Sequence, residues 1–271
     1  MQKIKSEIFR FDEFKIHLIE GYIQKTPVIE YNDKILVMDG GCRSDSPGIK
    51  SYLKKLCKKN KEVKLVIGSH IHPDHAGGAG YLKKFLNVPM AAPENINDWY
   101  SFFGGFIQHK IDICLGHYVA AATKLPFRLM YYPRKIDYDY VLQDKKHIPF
   151  FADWKVYSAK GHTLHDVVFF NEKEKILYAA DVILKVKDRF FLPIPVTFPR
   201  LMKKSVEMIY DLKPEHIFLA HGGYMKGEMI NQAYSALTKQ ADMITREYMK
   251  NNFLYRLTTI GAEMKNFYGE I

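Results

Sequence analysis

The chain has 271 residues, 47% hydrophobic and 26% charged, with a formal net charge of +10. That hydrophobic share supports a large core and excludes a disordered or low-complexity chain, while the basic excess raises the question of an anionic partner. No Pro/Gly/Ser-rich linker divides the sequence, so a single domain over 1–271, made of two similar halves, is expected.

In chain order, residues 8–11, 15–22, 27–31 and 34–38 read as strands, the last two joined by a turn at Asn32 and Asp33. A helix opens at Pro47 and runs to about residue 60. It places Tyr52, Leu53, Leu56 and Cys57 on one face and its lysines on the other, so much of the basic charge reads as a solvated face rather than a nucleic-acid footprint. Residues 63–68 form a buried strand, 77–87 a helix and 88–91 a short strand. Further on, 153–158, 167–170 and 175–180 read as strands, 198–212 as a helix, 217–220 as a strand and 226–250 as a long helix.

The first fourteen residues carry scattered charge and no continuous apolar stretch, unlike a signal peptide. No uncharged run approaches the roughly 18 residues needed to span a bilayer. Cys42, Cys57 and Cys114 are few, odd in number and widely spaced, which points to a reducing compartment and a cytoplasmic chain.

His70, His72, Asp74 and His75 crowd into six consecutive positions directly after an apolar run, in the stretch SHIHPDHAGG. Three imidazoles and a carboxylate packed at a strand end without a cation would repel once the rings charged. The pattern therefore points to half of a two-metal site. His162 in KGHTLHD, Asp181 after the apolar run at 176–180, and His221 in FLAHGG each follow a short hydrophobic segment, where a loop can aim a side chain at a shared point. These seven ligand-type residues divide into two sets joined by a shared carboxylate. Imidazole and carboxylate without thiolate suit zinc, iron or manganese, and two divalent ions, zinc first, are expected.

The HxHxDH pattern of His70, His72, Asp74 and His75 resembles that of the metallo-β-lactamase superfamily. The order and spacing of His162, Asp181 and His221 extend the resemblance over nearly the whole chain. It implies an α/β fold, an αββα sandwich of two mixed β-sheets flanked by helices. It also implies one metal on His70, His72 and His162, the other on Asp74, His75 and His221, and Asp181 bridging them. Asp39, in ILVMDGG, matches the family's earlier aspartate and would orient a ligand. Taken alone, that DGG turn reads equally well as hairpin punctuation.

Two segments depart from a minimal family member. Residues 95–132 carry Trp99, Tyr100, Phe102, Phe103, Phe106 and Tyr131 among other aromatics, and read as one or two helices broken near Gly104 and Gly105. Inserted between ligands, they are expected to form a helical cap over the metal site, with extra core as the alternative. Residues 190–200, FFLPIPVTFPR, form a stiff loop that reads as a pocket wall, an apolar flap or a homodimer contact. His109, His117 and His147 receive no catalytic role. His165 stands where the family often has glycine, with Asp166 following, which either removes small-residue access beside His162 or brings a polar group close to it.

A pair of divalent ions can supply hydroxide at neutral pH, with Asp74 placed to orient it and accept a proton. The expected activity is hydrolysis of a small-molecule carboxylic ester, lactone or thioester with an apolar portion, in the lactonase or glyoxalase II-like branch. A class B β-lactamase would show a cysteine near the Asp181 position, and an acyl-homoserine lactonase a tyrosine where Val182, Ile183 and Leu184 stand. A phosphodiesterase or phosphorylcholine esterase, a mononuclear iron persulfide dioxygenase and a non-catalytic nucleic-acid-binding module are the alternatives.

Overall fold

The computed structural model describes residues 4–57 and 61–251. The chain begins as an antiparallel meander of β1 (Ser6–Arg10), β2 (Lys15–Glu20), β3 (Lys25–Glu30) and β4 (Lys34–Met38). Helical crossovers then impose parallel pairing. Helix α1 (Ser46–Leu56) leads to β5 (Glu62–Ile67), α2 (Ala79–Leu86) to β6 (Met90–Pro93), and α3 (Phe102–Ala122) to β7 (Tyr140–Leu142), completing a seven-stranded sheet in the order β1 to β7.

The second sheet collects β8 (His147–Ile148), β9 (Phe151–Ser158), β10 (Val167–Asn171) and β11 (Ile176–Tyr178). After the hairpin of β12 (Leu184–Val186) and β13 (Arg189–Phe191), α4 (Pro199–Asp211) crosses to β14 (His216–Leu219), which pairs parallel to β11. Strand β15 (Gly223–Lys226) forms the edge before α5 (Glu228–Asn251), giving the order β15-β14-β11-β10-β9-β8.

The inner faces of both sheets meet in one cluster that includes Phe14, Leu65, Trp154, Phe169, Tyr178 and Phe218. Outside the first sheet, Ile49 and Leu53 of α1 and Leu82 of α2 pack on Ile35 and Val37. Outside the second, Met202 and Val206 of α4 and Leu237 of α5 pack on Leu177 and Ile217. This is an αββα sandwich, with strands such as β4 and β11 buried on both faces and correspondingly free of alternation. Among the described residues, no helix is long and apolar enough to cross a membrane.

The structure corrects the sequence reading at several points. The expected break at Gly104 and Gly105 is absent, and α3 runs unbroken from Phe102. Gly105 instead lets the first turn lie on the backbone of Tyr100, where an added Cβ would come within 2.2 Å of the Tyr100 carbonyl carbon. The helix expected to reach residue 60 ends at Leu56, and residues 58–60 lie outside the described residues. Residues 95–132 are partly core: Ile96, Tyr100 and Tyr132 are fully packed in the cluster beneath α1 and α2. In 190–200, Leu192, Val196 and Phe198 are buried against α4, as the flap reading expects, with Ile194 left exposed.

Candidate metal centre

The seven residues singled out from the sequence leave the carboxyl ends of four strands. His70, His72, Asp74 and His75 lie on the loop after β5, His162 after β9, Asp181 after β11 and His221 after β14. They converge in two groups. Ligand atoms of His70, His72, His162 and Asp181 all lie within 4.8 Å of one another, as do those of Asp74, His75 and His221.

Asp181 joins the groups. Its Oδ1 is 2.9 Å from His75 Nε2 and 3.4 Å from His221 Nε2, while its Oδ2 is 3.7 Å from His70 Nε2 and 3.6 Å from His162 Nε2. Asp74 Oδ2 lies 3.1 Å from His221 Nε2. One carboxylate therefore faces both groups, one oxygen to each.

Four of the five rings are hydrogen-bonded through their other nitrogen, and the fifth, His72, meets a carboxylate there in ionic contact. His162 Nδ1 lies 2.6 Å from the Pro195 carbonyl and His221 Nδ1 lies 3.0 Å from the Ile23 carbonyl, acceptors that require a donating N–H. His75 Nδ1 is 2.9 Å from Asp39 Oδ2, His70 Nδ1 is 3.1 Å from Ser69 Oγ, and His72 Nε2 is 3.3 Å from Asp112 Oδ2. A donating far nitrogen leaves the near nitrogen with its lone pair turned to the centre.

Asp39 anchors this arrangement from beneath. Its Oδ1 accepts the Ser69 N–H at 2.6 Å, and its Oδ2 accepts the hydroxyls of Ser69 at 2.9 Å and Tyr178 at 2.6 Å. The turn that carries it is locked to the histidine loop, because the Gly40 N–H donates to the His75 carbonyl and the Gly78 N–H to the Gly41 carbonyl, both at 2.8 Å. A Cβ on Gly40 would fall 2.0 Å from the Ala79 nitrogen, so the approach requires glycine.

His165 and Asp166 have structural work here. His165 Nε2 accepts the Ile71 N–H at 3.2 Å, tying the two ligand loops together. Asp166 accepts the backbone N–H groups of His162 at 3.0 Å and Thr163 at 2.6 Å, and so shapes the His162 turn. His109 donates to or accepts from no group of the seven; its Nε2 lies 3.0 Å from the Tyr132 carbonyl. Sequence reasoning missed Asp112. The signal was present: it is the lone acidic residue between positions 99 and 136, in the middle of an aromatic helix.

A family model described as the metallo-beta-lactamase superfamily matches residues 25–221. The chain belongs to that superfamily. Its fold is similar to the metallo-β-lactamase from Pontibacter korlensis, at 15% identity and a TM-score of 0.59, over 87% of this chain and 100% of that one. It is also similar to the metallo-β-lactamase from Hirschia baltica, at 14% identity and a TM-score of 0.57, over 85% and 97% of the two chains. FIM-1 from Pseudomonas aeruginosa, described in its mono-zinc form, matches at 12% identity and a TM-score of 0.59, over 87% and 96%. No curated protein matches the sequence.

The donor set of this superfamily member fits divalent cations. His75 Nε2 and Asp181 Oδ1 are buried and 2.9 Å apart, yet too poorly aligned for a hydrogen bond, and neither has another partner. His70 Nε2 and His72 Nδ1 face each other at 3.1 Å. Burial, then the neighbouring His75 and His72, hold the His70 ring well below its usual pKa, so it stays neutral and ligating. Burial would raise the Asp181 carboxyl, but His75 and His221 outweigh it and keep the group well below the usual carboxylate range. Burial would lower the His72, His75 and His221 rings, but the facing carboxylates of Asp112, Asp181 and Asp74 outweigh it and raise all three above the usual range. A cation would take the place of protons there, and imidazole with ionised carboxylate is a donor set for zinc, iron or manganese.

Proposed function

We propose that the chain is a binuclear metallohydrolase that cleaves a carboxylic ester, lactone or thioester with an apolar portion. The observation that carries this reading is the division of the two Asp181 oxygens between the two groups. In this reading His70, His72 and His162 hold one ion, Asp74, His75 and His221 the other, Asp181 bridges them, and zinc is the metal of choice. When bound, such a pair supplies a Lewis acid for the carbonyl oxygen and hydroxide at neutral pH.

The protein's own groups do the rest. Asp74 is the group placed to orient the nucleophile and take its proton at a carboxylate oxygen. Burial would raise its pKa, but His75 and His221 hold it below the usual range, so it is ionised and ready to accept. Asp39, Asp112 and the Pro195 and Ile23 carbonyls keep the rings from rotating, which holds the ligand geometry fixed. Residues 95–132 cap the centre from one side: Asp112 reaches His72, and a Cβ on Gly116 would lie 3.8 Å from Pro73 in the ligand loop. The Trp99 ring, with its centre 5.8 Å from that of His165 and 6.5 Å from that of Phe198, supports an apolar substrate portion.

The test is elemental analysis of the purified chain together with hydrolysis assays on p-nitrophenyl esters, lactones and acyl thioesters. Two ions per chain with ester or thioester turnover is the expected result. Turnover of bis-p-nitrophenyl phosphate alone would replace it with the phosphodiesterase reading, and oxygen consumption on a persulfide with one bound iron would replace it with the dioxygenase reading.

A further inference from the structure

We propose that the outer face of α3, with the segment that follows it, docks on an anionic phospholipid bilayer surface. The polarity of this helix is inverted. Its buried side carries Gln108, His109 and Asp112, while Phe103, Phe106, Lys110, Cys114 and Tyr118, spaced three and four residues apart, form an exposed stripe. The stripe is well exposed, at 77% for Phe103 and 70% for Tyr118, and it continues into Phe127 at 78% and Leu129 at 61%. Water disfavours a contiguous aromatic surface of this kind, which marks an interaction face.

Charge complementarity identifies the partner. Between residues 99 and 136 the lone acidic side chain, Asp112, is buried, whereas Lys110, Lys124, Arg134 and Lys135 are exposed. The cations lie among the rings: Lys110 Nζ is 5.4 Å from the ring centres of both Phe106 and Tyr131, and the Arg134 guanidinium is 5.5 Å from that of Phe106. Exposed aromatics interleaved with cations, with no exposed acid between residues 99 and 136, match the acyl boundary and anionic headgroups of a bilayer. Helix α3 does not qualify as a membrane span, so it would lie in the plane of the interface. The proposal stands on this surface alone and does not depend on the metal centre.

The test is flotation of the full chain with vesicles of phosphatidylcholine alone and of phosphatidylcholine mixed with phosphatidylglycerol. Binding to the mixed vesicles, weakening with added salt, is expected. Each of Lys110→Ala and Lys135→Ala should reduce partitioning about fivefold. The double variant Phe103→Ser/Tyr118→Ser should reduce it more than about tenfold, with an unchanged melting temperature because both rings stand in solvent. Failure to bind either vesicle, or equal binding by the double variant, would overturn the proposal. So would a concentration-dependent dimer in sedimentation velocity that the double variant abolishes without any vesicle binding, since the face would then belong to a second copy of the chain.

Discussion

The Asp112 carboxylate lies 3.3 Å from Nε2 of His72, while Nδ1 of the same ring faces His70 Nε2 at 3.1 Å. His72 is thus turned over relative to His70, His75, His162 and His221, which present Nε2 to Asp181 or Asp74. Asp112 is itself fixed by the Tyr100 hydroxyl and Gln108 Nε2, each at 2.7 Å, and Tyr132 donates to Tyr100 at 2.8 Å. A chain of buried polar groups from the inserted helix therefore sets the orientation of one ring in the signature loop.

Replacing Asp112 with alanine frees that ring, and metal affinity is expected to fall about 10- to 100-fold, as for other carboxylates behind ligating histidines. Competition with a chromogenic chelator measures this. Asp112→Asn retains an acceptor oxygen and should recover part of the loss. Unchanged affinity in the alanine variant would remove Asp112 from the role.

Asp181→Ala removes the group that faces both sets of ligands. Bound metal should drop below the wild-type stoichiometry and turnover should become undetectable, as read by elemental analysis and initial rates. Normal turnover with two ions still bound would refute the bridging assignment.

The ligands come from four separate loops, so metal binding and folding are linked. At free metal about a hundredfold above Kd, each ion bound contributes roughly 2.7 kcal/mol, which raises the melting temperature by roughly 5 to 10 °C per ion in a chain of this size. Calorimetry before and after chelation should show that shift, with recovery on adding zinc.

His165 supplies a pH dependence. Its Nε2 accepts the Ile71 N–H, so the ring must be neutral, and burial, then the charges of His72, His162 and Lys160, depress its pKa well below the usual 6.5. The unfolded chain takes up this proton first, so the stabilisation is present above about pH 6.5 and is lost as the pH falls below it. Urea denaturation of metal-free protein at several pH values should show the decline. His165→Gln, which keeps an acceptor that does not titrate, should make the decline shallower than in the wild type.

The seven converging residues were legible because each follows an apolar strand, and strand ends on one edge of a sandwich bring short loops together. The sandwich itself followed from a resemblance that the motif and its spacing carried. Very short strands such as Tyr140–Leu142 and Leu184–Val186 were not legible, since three residues are too few to show a period and are held by pairing with neighbours. Gly105 reads as a helix breaker in sequence, yet its contact with Tyr100 is tertiary and fixes it inside a helix. Asp112 escaped for the same reason: its partner His72 is remote in sequence, and only the packing of α3 on the ligand loop brings them together.

The four donors after β5 hang from one sheet and His162, Asp181 and His221 from the other. Any ion seated among them acts as a removable rivet across the seam of the sandwich. Cellular metal supply would then govern how long each molecule survives proteolysis as well as how fast it works.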